Sequence, residues 1–298
     1  MDYKLLGKSS LEISRISFGC MSLGSDKPEN EQLINAAIDA GINFFDTADL
    51  YGNGENEVML GEILKEKRQQ VRIATKVGNK WREDGSGWDW VPSRSYILAG
   101  VELSLKRLQT DYIDLYQLHG GTLADPIDEI IETFEQLVRE GKIRYYGISS
   151  IRPNVIREYV KRSNIVSVMM QYSLLDRRPE ESCFSLLEEH NIGVLTRGSI
   201  AQGLLIDKPA KSYLNYSPDD VAKAAEAVHS ISGSDRSSTQ TALRYVLQQE
   251  AVTSAVVGIN SLKRLKEAVD TINTPQLSEE ETVSLTSFST PNFYEQHR

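Results

Sequence analysis

Four residues able to move a proton or hold a charge stand where short apolar runs end. FFDTADLYGNGENE (44–57) closes one run with Asp46 and sets Tyr51 five positions later in a glycine-rich turn; RIATK delivers Lys76, and IDLYQLH ends on His119. A phenol with a reference pKa of about 10 is a poor acid at neutral pH, but an ammonium beside it favours the phenolate and lowers that value. Lys76 is the candidate ammonium, and Asp46 the carboxylate that would hold it in place and keep it protonated. His119 would donate a hydrogen bond to a carbonyl oxygen or join a proton relay. Such a set protonates an oxygen while the attached carbon accepts electrons. Taken singly, each residue has an ordinary explanation: a turn cap, a solvated strand-end charge, a satisfied buried histidine, a half-buried loop aromatic. Their recurrence at the ends of three successive units is what favours chemistry.

The elements that must position them show as an alternation. Eight apolar runs, ISFG (16–19), NFFD (43–46), RIAT (72–75), IDLYQLH (113–119), RYYGIS (144–149), VSVMMQ (166–171), IGVLT (192–196) and SAVVG (254–258), are separated by helical patterns. Apolar residues on both faces of such runs suit a buried parallel sheet. Among the spacers, Leu33, Ile34, Ala37 and Ile38 precede Gly41, and Ile97, Val101, Leu105 and Leu108 follow Pro92 and Ser93. In DPIDEIIETFEQLVREG, Asp125 is the expected N-cap, Pro126 the first helical residue and Gly141 the stop. This alternation predicts one α/β domain over 1–298, a closed (β/α)₈ TIM barrel whose reactive groups gather at the C-terminal ends of its strands. YKLLGKSSLEIS predicts an N-terminal β-hairpin within 1–14 that plugs the barrel floor. Additional segments are a tryptophan-bearing loop (80–93), a helix over 219–231 ahead of another at 238–249, and a C-terminal helix with a mobile tail over 277–298.

Composition narrows the partners. With 42 acidic against 33 basic residues and a net charge of −9, a general affinity for nucleic acid or anionic membrane is not expected. Cys20 and Cys183 lie far apart and fit a reducing cytoplasm better than a disulfide framework. His119, His190, His229 and His297 form no H-x-H or H-E-x-x-H pair, so no metal site is expected. No apolar run of about 18 residues and no signal core is visible, so neither export nor a membrane span is expected. The outer helix faces show no decisive apolar patch, consistent with a monomer or small homo-oligomer.

The D-x-A-x-x-Y-G-x-x-E-like pattern formed by Asp46, Ala48, Tyr51, Gly52 and Glu57, followed in order by RIATK, SLKRLQTDYIDLYQLH, GKIRYYGIS, VMMQYSLLDR and VVGINSLKRLKEA, resembles the aldo-keto reductase superfamily along essentially the whole chain. It looks closest to bacterial reductases of the potassium-channel β-subunit-like branch. The resemblance implies reduction of a small carbonyl substrate, an aldehyde or ketone, by NADPH in preference to NADH. Asp46, Tyr51, Lys76 and His119 would be the tetrad and Tyr51 the general acid. Ser149 and Gln171 would hold the carboxamide, and Arg197 stands where the family stacks an aromatic on the nicotinamide; a planar guanidinium also stacks. Further cofactor contacts fall on Gly198, Ser199, Gly203, Gly258, Ser261, Arg264 and Glu267. A turn at Gly258–Ser261 opening a helix suits an anion, and Lys263 and Arg264 add charge for a 2′-phosphate. Met21, Trp81 and Gly120 are expected in the substrate pocket, and Trp88 and Trp90, in the same loop as Trp81, either help wall it or pack the loop on itself. The chain departs from the family at Ala268 and Ser150, where asparagine is usual, and at Gly120–Gly121–Thr122, where a bulky residue and Pro-Asp are common.

Three rivals follow from the same residues. GNGENE lacks the third glycine of a dinucleotide fingerprint, because Glu57 stands there. A barrel lysine could form a Schiff base with a carbonyl, as in aldolases. An NADPH-binding regulatory or redox-sensing subunit with little turnover is the other alternative.

Overall fold

A computed structural model describes residues 1–298. In chain order it contains β1 (Tyr3–Leu5), β2 (Glu12–Ser14), β3 (Ile16–Gly19), α1 (Lys27–Asp39), β4 (Phe44–Asp46), α2 (Glu55–Leu64), β5 (Arg72–Val77), β6 (Asn79–Trp81), β7 (Trp88–Trp90), α3 (Arg94–Leu108), β8 (Ile113–Leu118), α4 (Ile127–Arg139), β9 (Ile143–Ser149), α5 (Pro153–Arg162), β10 (Ser167–Gln171), α6 (Cys183–Glu189), β11 (Gly193–Arg197), α7 (Pro218–Ser230), α8 (Ser238–Leu247), β12 (Val252–Gly258), α9 (Leu262–Asp270) and α10 (Glu279–Thr286). Strands β3, β4, β5, β8, β9, β10, β11 and β12 close into a parallel barrel in that order, with β12 pairing back onto β3. This is the (β/α)₈ TIM barrel, and each of the eight apolar runs supplies one of its strands.

The alternation of strand side chains sorts the residues into layers. Outward-facing residues such as Ile73, Val77, Val168 and Val194 join a cluster of 65 buried side chains between strands and helices. Inward-facing Phe44, Ala74, Leu115, Met169, Leu195 and Val256 form a separate apolar plug. Two residues further along those strands, the same inward face carries Asp46, Lys76, Gln117, Gln171, Arg197 and Gly258. The apolar layer is therefore a dry floor beneath a polar mouth.

From below, the β1–β2 hairpin completes that floor, placing Leu6, Leu11 and Ile13 against the inward plug. Gly7 makes the approach possible: its φ is +55°, and a Cβ there would lie 2.5 Å from the Val166 carbonyl oxygen and 2.6 Å from the Gly193 nitrogen.

Two expectations need correction. Asp125 does not cap α4. Pro126 occupies the cap position with no side-chain bond, while the Asp125 carboxylate accepts from the Trp90 indole at 3.0 Å and from the Thr122 amide at 2.6 Å. The turn after β8 and the tryptophan ribbon thus use the acid that the helix would otherwise take. The tail after α10 is not loose either. Asn292 and Tyr294 are buried, Asn292 Oδ1 accepts from the Arg177 amide at 2.9 Å, and Arg178 stacks over the Tyr294 ring at 4.8 Å. The loop 80–93 is ordered as an antiparallel ribbon, with Asn79 paired to Trp90 and Trp81 to Trp88. No helix is long and apolar enough to cross a membrane.

Candidate active site

The strand ends place Asp46, Lys76 and His119 on the inward face at the C-terminal rim, and Tyr51 is carried over them by the turn that follows β4. Lys76 is fully buried. An ammonium has three donors and no acceptor. Those of Lys76 go to Asp46 Oδ2 at 2.7 Å, the Thr47 carbonyl at 2.7 Å and the Tyr51 hydroxyl at 3.3 Å. Because the ammonium can only donate, the Tyr51 oxygen accepts, and its own proton is directed elsewhere. Lys76 Nζ also lies 4.9 Å from the Tyr51 ring centroid, and the Tyr51 and His119 rings meet edge to face at 6.1 Å.

Sequence reasoning missed Gln117 and Asn79. Gln117, also on the inward face of β8, approaches the second Asp46 oxygen at 3.4 Å. Asn79 donates to the His119 carbonyl at 2.9 Å. A glutamine inside the apolar run IDLYQLH was a signal, since a buried amide needs a polar partner; Asn79 gave none.

The electrostatics reverse one expectation. Burial pushes the Tyr51 phenol above its ordinary range; the Lys76 charge opposes this and the Asp46 charge reinforces it. The ammonium does not turn Tyr51 into a phenolate: at neutral pH it is a phenol that keeps a proton to give. Burial disfavours the Lys76 charge too, but Asp46 outweighs it and Lys76 stays protonated. His119 is driven down to about 3 by burial and by the nearby cations Lys76 and Arg197. It is a neutral imidazole whose Nδ1 has no protein partner, and of the two roles foreseen, hydrogen bonding suits it better than carrying charge.

A cavity of about 690 Å³ opens over this group. It brings together the four reactive side chains with Ser149, Arg197, Gly198, Gly258, Met21 and Gly120. Trp81 is placed differently from expectation: its indole donates to the Leu50 carbonyl at 3.0 Å and its ring meets Trp88 edge to face, so it buttresses the wall while Trp88 and Trp90 line it. Gln171, Ser199, Gly203, Ser261, Arg264 and Glu267 also lie outside the lining. Gln171 links Arg197, at 3.0 Å, to Tyr213, at 2.8 Å. Ser199 is buried beside Thr196, and Gly203 begins a turn at φ +91°. Ser261 caps α9 by accepting from the Arg264 amide, and Glu267 accepts from Ser237 at 2.6 Å. The Arg264 side chain is exposed.

The aldo/keto reductase family model matches residues 15–289, and the chain belongs to that family. It is accordingly an oxidoreductase of a family that uses nicotinamide cofactors. An uncharacterized oxidoreductase, YqkF of Bacillus subtilis, is 49% identical over the full length of both chains, and the B. subtilis aldo-keto reductase YhdN is 35% identical over 74% of this chain and 68% of its own. Among solved structures, the holo form of aldo-keto reductase AKR11C1 from Bacillus halodurans aligns with a TM-score of 0.94 at 49% identity, covering 100% of this chain and 99% of the other. The apo form of that protein gives 0.86 with the same coverage.

A nicotinamide cofactor fits the residues present. Gly19 and Gly258 stand side by side in register on β3 and β12, and both line the cavity. Neither projects a side chain into the mouth. Ser149 and Arg197 face the same space.

Proposed function

We propose that this chain is an NADPH-preferring reductase that converts aldehydes and ketones to alcohols in the cytoplasm, where two buried, unpaired cysteines are at home. The observation that carries the reading is the Lys76 ammonium with all three donors engaged, one of them on Tyr51, beneath an open cavity. A bound nicotinamide supplies the hydride that forms the new C–H bond and is itself oxidised.

The protein's share is proton delivery and alignment. Tyr51 passes its proton to the carbonyl oxygen as charge develops there, forming the O–H bond of the alcohol. Lys76 stabilises the phenolate left behind through the hydrogen bond already in place. Asp46 keeps Lys76 charged and fixed, while Gln117 restrains Asp46. Neutral His119 orients the carbonyl without competing for the proton. Ser149 and Gln171 are assigned to the carboxamide, Arg197 to the ring face, Gly198, Ser199, Gly203 and Gly258 to the backbone cradle, and Ser261 and Arg264 to the 2′-phosphate, with Glu267 beside the adenine.

The test is NADPH oxidation with short aliphatic and aromatic aldehydes, repeated with Tyr51→Phe. Loss of the acid is expected to lower kcat by about 10²–10⁴-fold with NADPH affinity retained. Full activity in Tyr51→Phe would refute the acid assignment. Tight NADPH binding with near-zero turnover across the panel would favour a regulatory subunit.

A further inference from the structure

We infer that the carbonyl substrate carries a carboxylate and that Arg152 is the residue that reads it; this rests on the reductase reading above. Arg152 follows β9 and lines the reaction cavity beside Gly121 and Thr122, in the turn after His119. One terminal nitrogen, Nη1, donates to the Gly121 carbonyl at 2.5 Å, which fixes the guanidinium against that turn. No carboxylate pairs with it. In a chain with 42 acidic and 33 basic residues, a half-buried arginine without a counter-ion at the reaction cavity is an unmet electrostatic demand.

The geometry of the free edge narrows the anion. With Nη1 committed, Nε and Nη2 remain. This is the edge by which Arg82 grips Asp89, Arg177 grips Glu180 and Arg178 grips Asp176 in this same protein. A guanidinium edge of that kind matches a planar carboxylate with two parallel bonds. The amides at the start of α5 are already used: Asn154 donates to the His297 carbonyl and Val155 to Asn154 Oδ1, while Pro153 has none. The anion must therefore be read by the side chain.

Arg152 is also placed away from the part of the mouth assigned to the cofactor's phosphate. That assignment centres on β12 and α9, whereas β9 is separated from β12 by β10 and β11. Trp90 packs at Gly120, next to the Gly121 that Arg152 grips, giving an apolar surface beside the charge. Arg152 also borders a second cavity that contains Glu295, yet the two form no ion pair. An aldehyde with a terminal carboxylate satisfies both features.

The experiment compares ω-oxo acids with n-alkanals of matched chain length, using NADPH and the wild-type, Arg152→Gln and Arg152→Lys proteins. Wild type is expected to favour the oxo acid by about 10–100-fold in kcat/KM at its best chain length, the range for a charged hydrogen-bonded contact. Arg152→Gln should abolish that preference through KM, Arg152→Lys should restore part of it, and alkanal kinetics and the NADPH dissociation constant should stay within about twofold. Glutarate should raise the melting temperature of wild type and not of Arg152→Gln. The inference is overturned if alkanals match or exceed the oxo acids at every length, if Arg152→Gln slows both series equally, or if only a phosphorylated aldehyde shows the preference. Reduction of alkanals alone would leave the reductase reading standing, whereas NADPH binding without reduction of either series would overturn both.

Discussion

The two sides of the barrel mouth are built in opposite ways. At β4 and β5, Asp46, Lys76 and Tyr51 are bonded to one another: Lys76 has no exposed surface, and every donor it owns has a partner inside the protein. At β11 and α9, Arg197 and Arg264 are exposed and lack acidic partners: Arg197 reaches only the amide of Gln171, and the Arg264 guanidinium makes no bond to the protein. The first side is finished before any ligand arrives, so its geometry is set by folding. The second side has polar groups left to satisfy, and a ligand would satisfy them. Preorganised groups serve chemistry because they need no rearrangement as charge develops; exposed cations serve capture.

That contrast can be broken from either side. Lys76→Met strikes the finished side, leaving Asp46 buried and alone. It is expected to cost roughly 3–5 kcal/mol of stability, measured by urea unfolding, and to abolish most turnover. Adding Asp46→Asn should recover part of the stability and none of the activity, because the two side chains share one interaction. If Lys76→Met were as stable as wild type, the pair would not be the structural core of the site.

Arg264→Ala strikes the open side. It should weaken NADPH binding by about 5–20-fold, leave NADH binding unchanged and leave the melting temperature unaltered, since an exposed side chain without partners contributes little to folding. Fluorescence titration with both cofactors checks this. Equal loss for NADPH and NADH would remove the 2′-phosphate assignment.

A pH dependence sharpens the picture of the buried side. Asp49, two residues before Tyr51, is raised from 3.8 to about 7, chiefly by burial and then by Glu57, with Arg107 opposing; its Oδ1 has no protein partner. The folded chain therefore holds a proton between those values that the unfolded chain has released. Stability is lost as pH rises through that window, at up to about 1.4 kcal/mol per unit. Asp49→Asn should raise the melting temperature at pH 8 and have no such effect at pH 4. His119 works in the other direction: with its value held at about 3, stability is lost as pH falls from 6.5 towards 3. A pH-independent difference between Asp49→Asn and wild type would rule out titration of Asp49 as the cause.

Most of the fold was legible because it is written in local periodicity. Each of the eight runs carries apolar residues on both faces and ends on a turn, and the hairpin is marked by Gly7 between two alternating segments. That Asp46, Tyr51, Lys76 and His119 would meet was legible because the strand period puts Asp46 and Lys76 on the same inward row, and a polar residue ending an apolar strand stands out. Asp125 and Trp81 were misjudged for the complementary reason. Their hydrogen-bond partners, Trp90 and Leu50, lie 35 and 31 residues away, and no local pattern encodes which of several acceptors a side chain will meet.

By itself, then, the sequence determined the alternation of strands and helices, the residue types at each strand end, and the charge balance that makes a free arginine conspicuous. Only the tertiary structure decided that Tyr51 stays a phenol, that His119 stays neutral, that Trp88 and Trp90 rather than Trp81 wall the cavity, and that Arg152 borders it without a carboxylate. Residue type and spacing are local properties of the chain. Desolvation and pairing are sums over neighbours that only the closure of the barrel brings together.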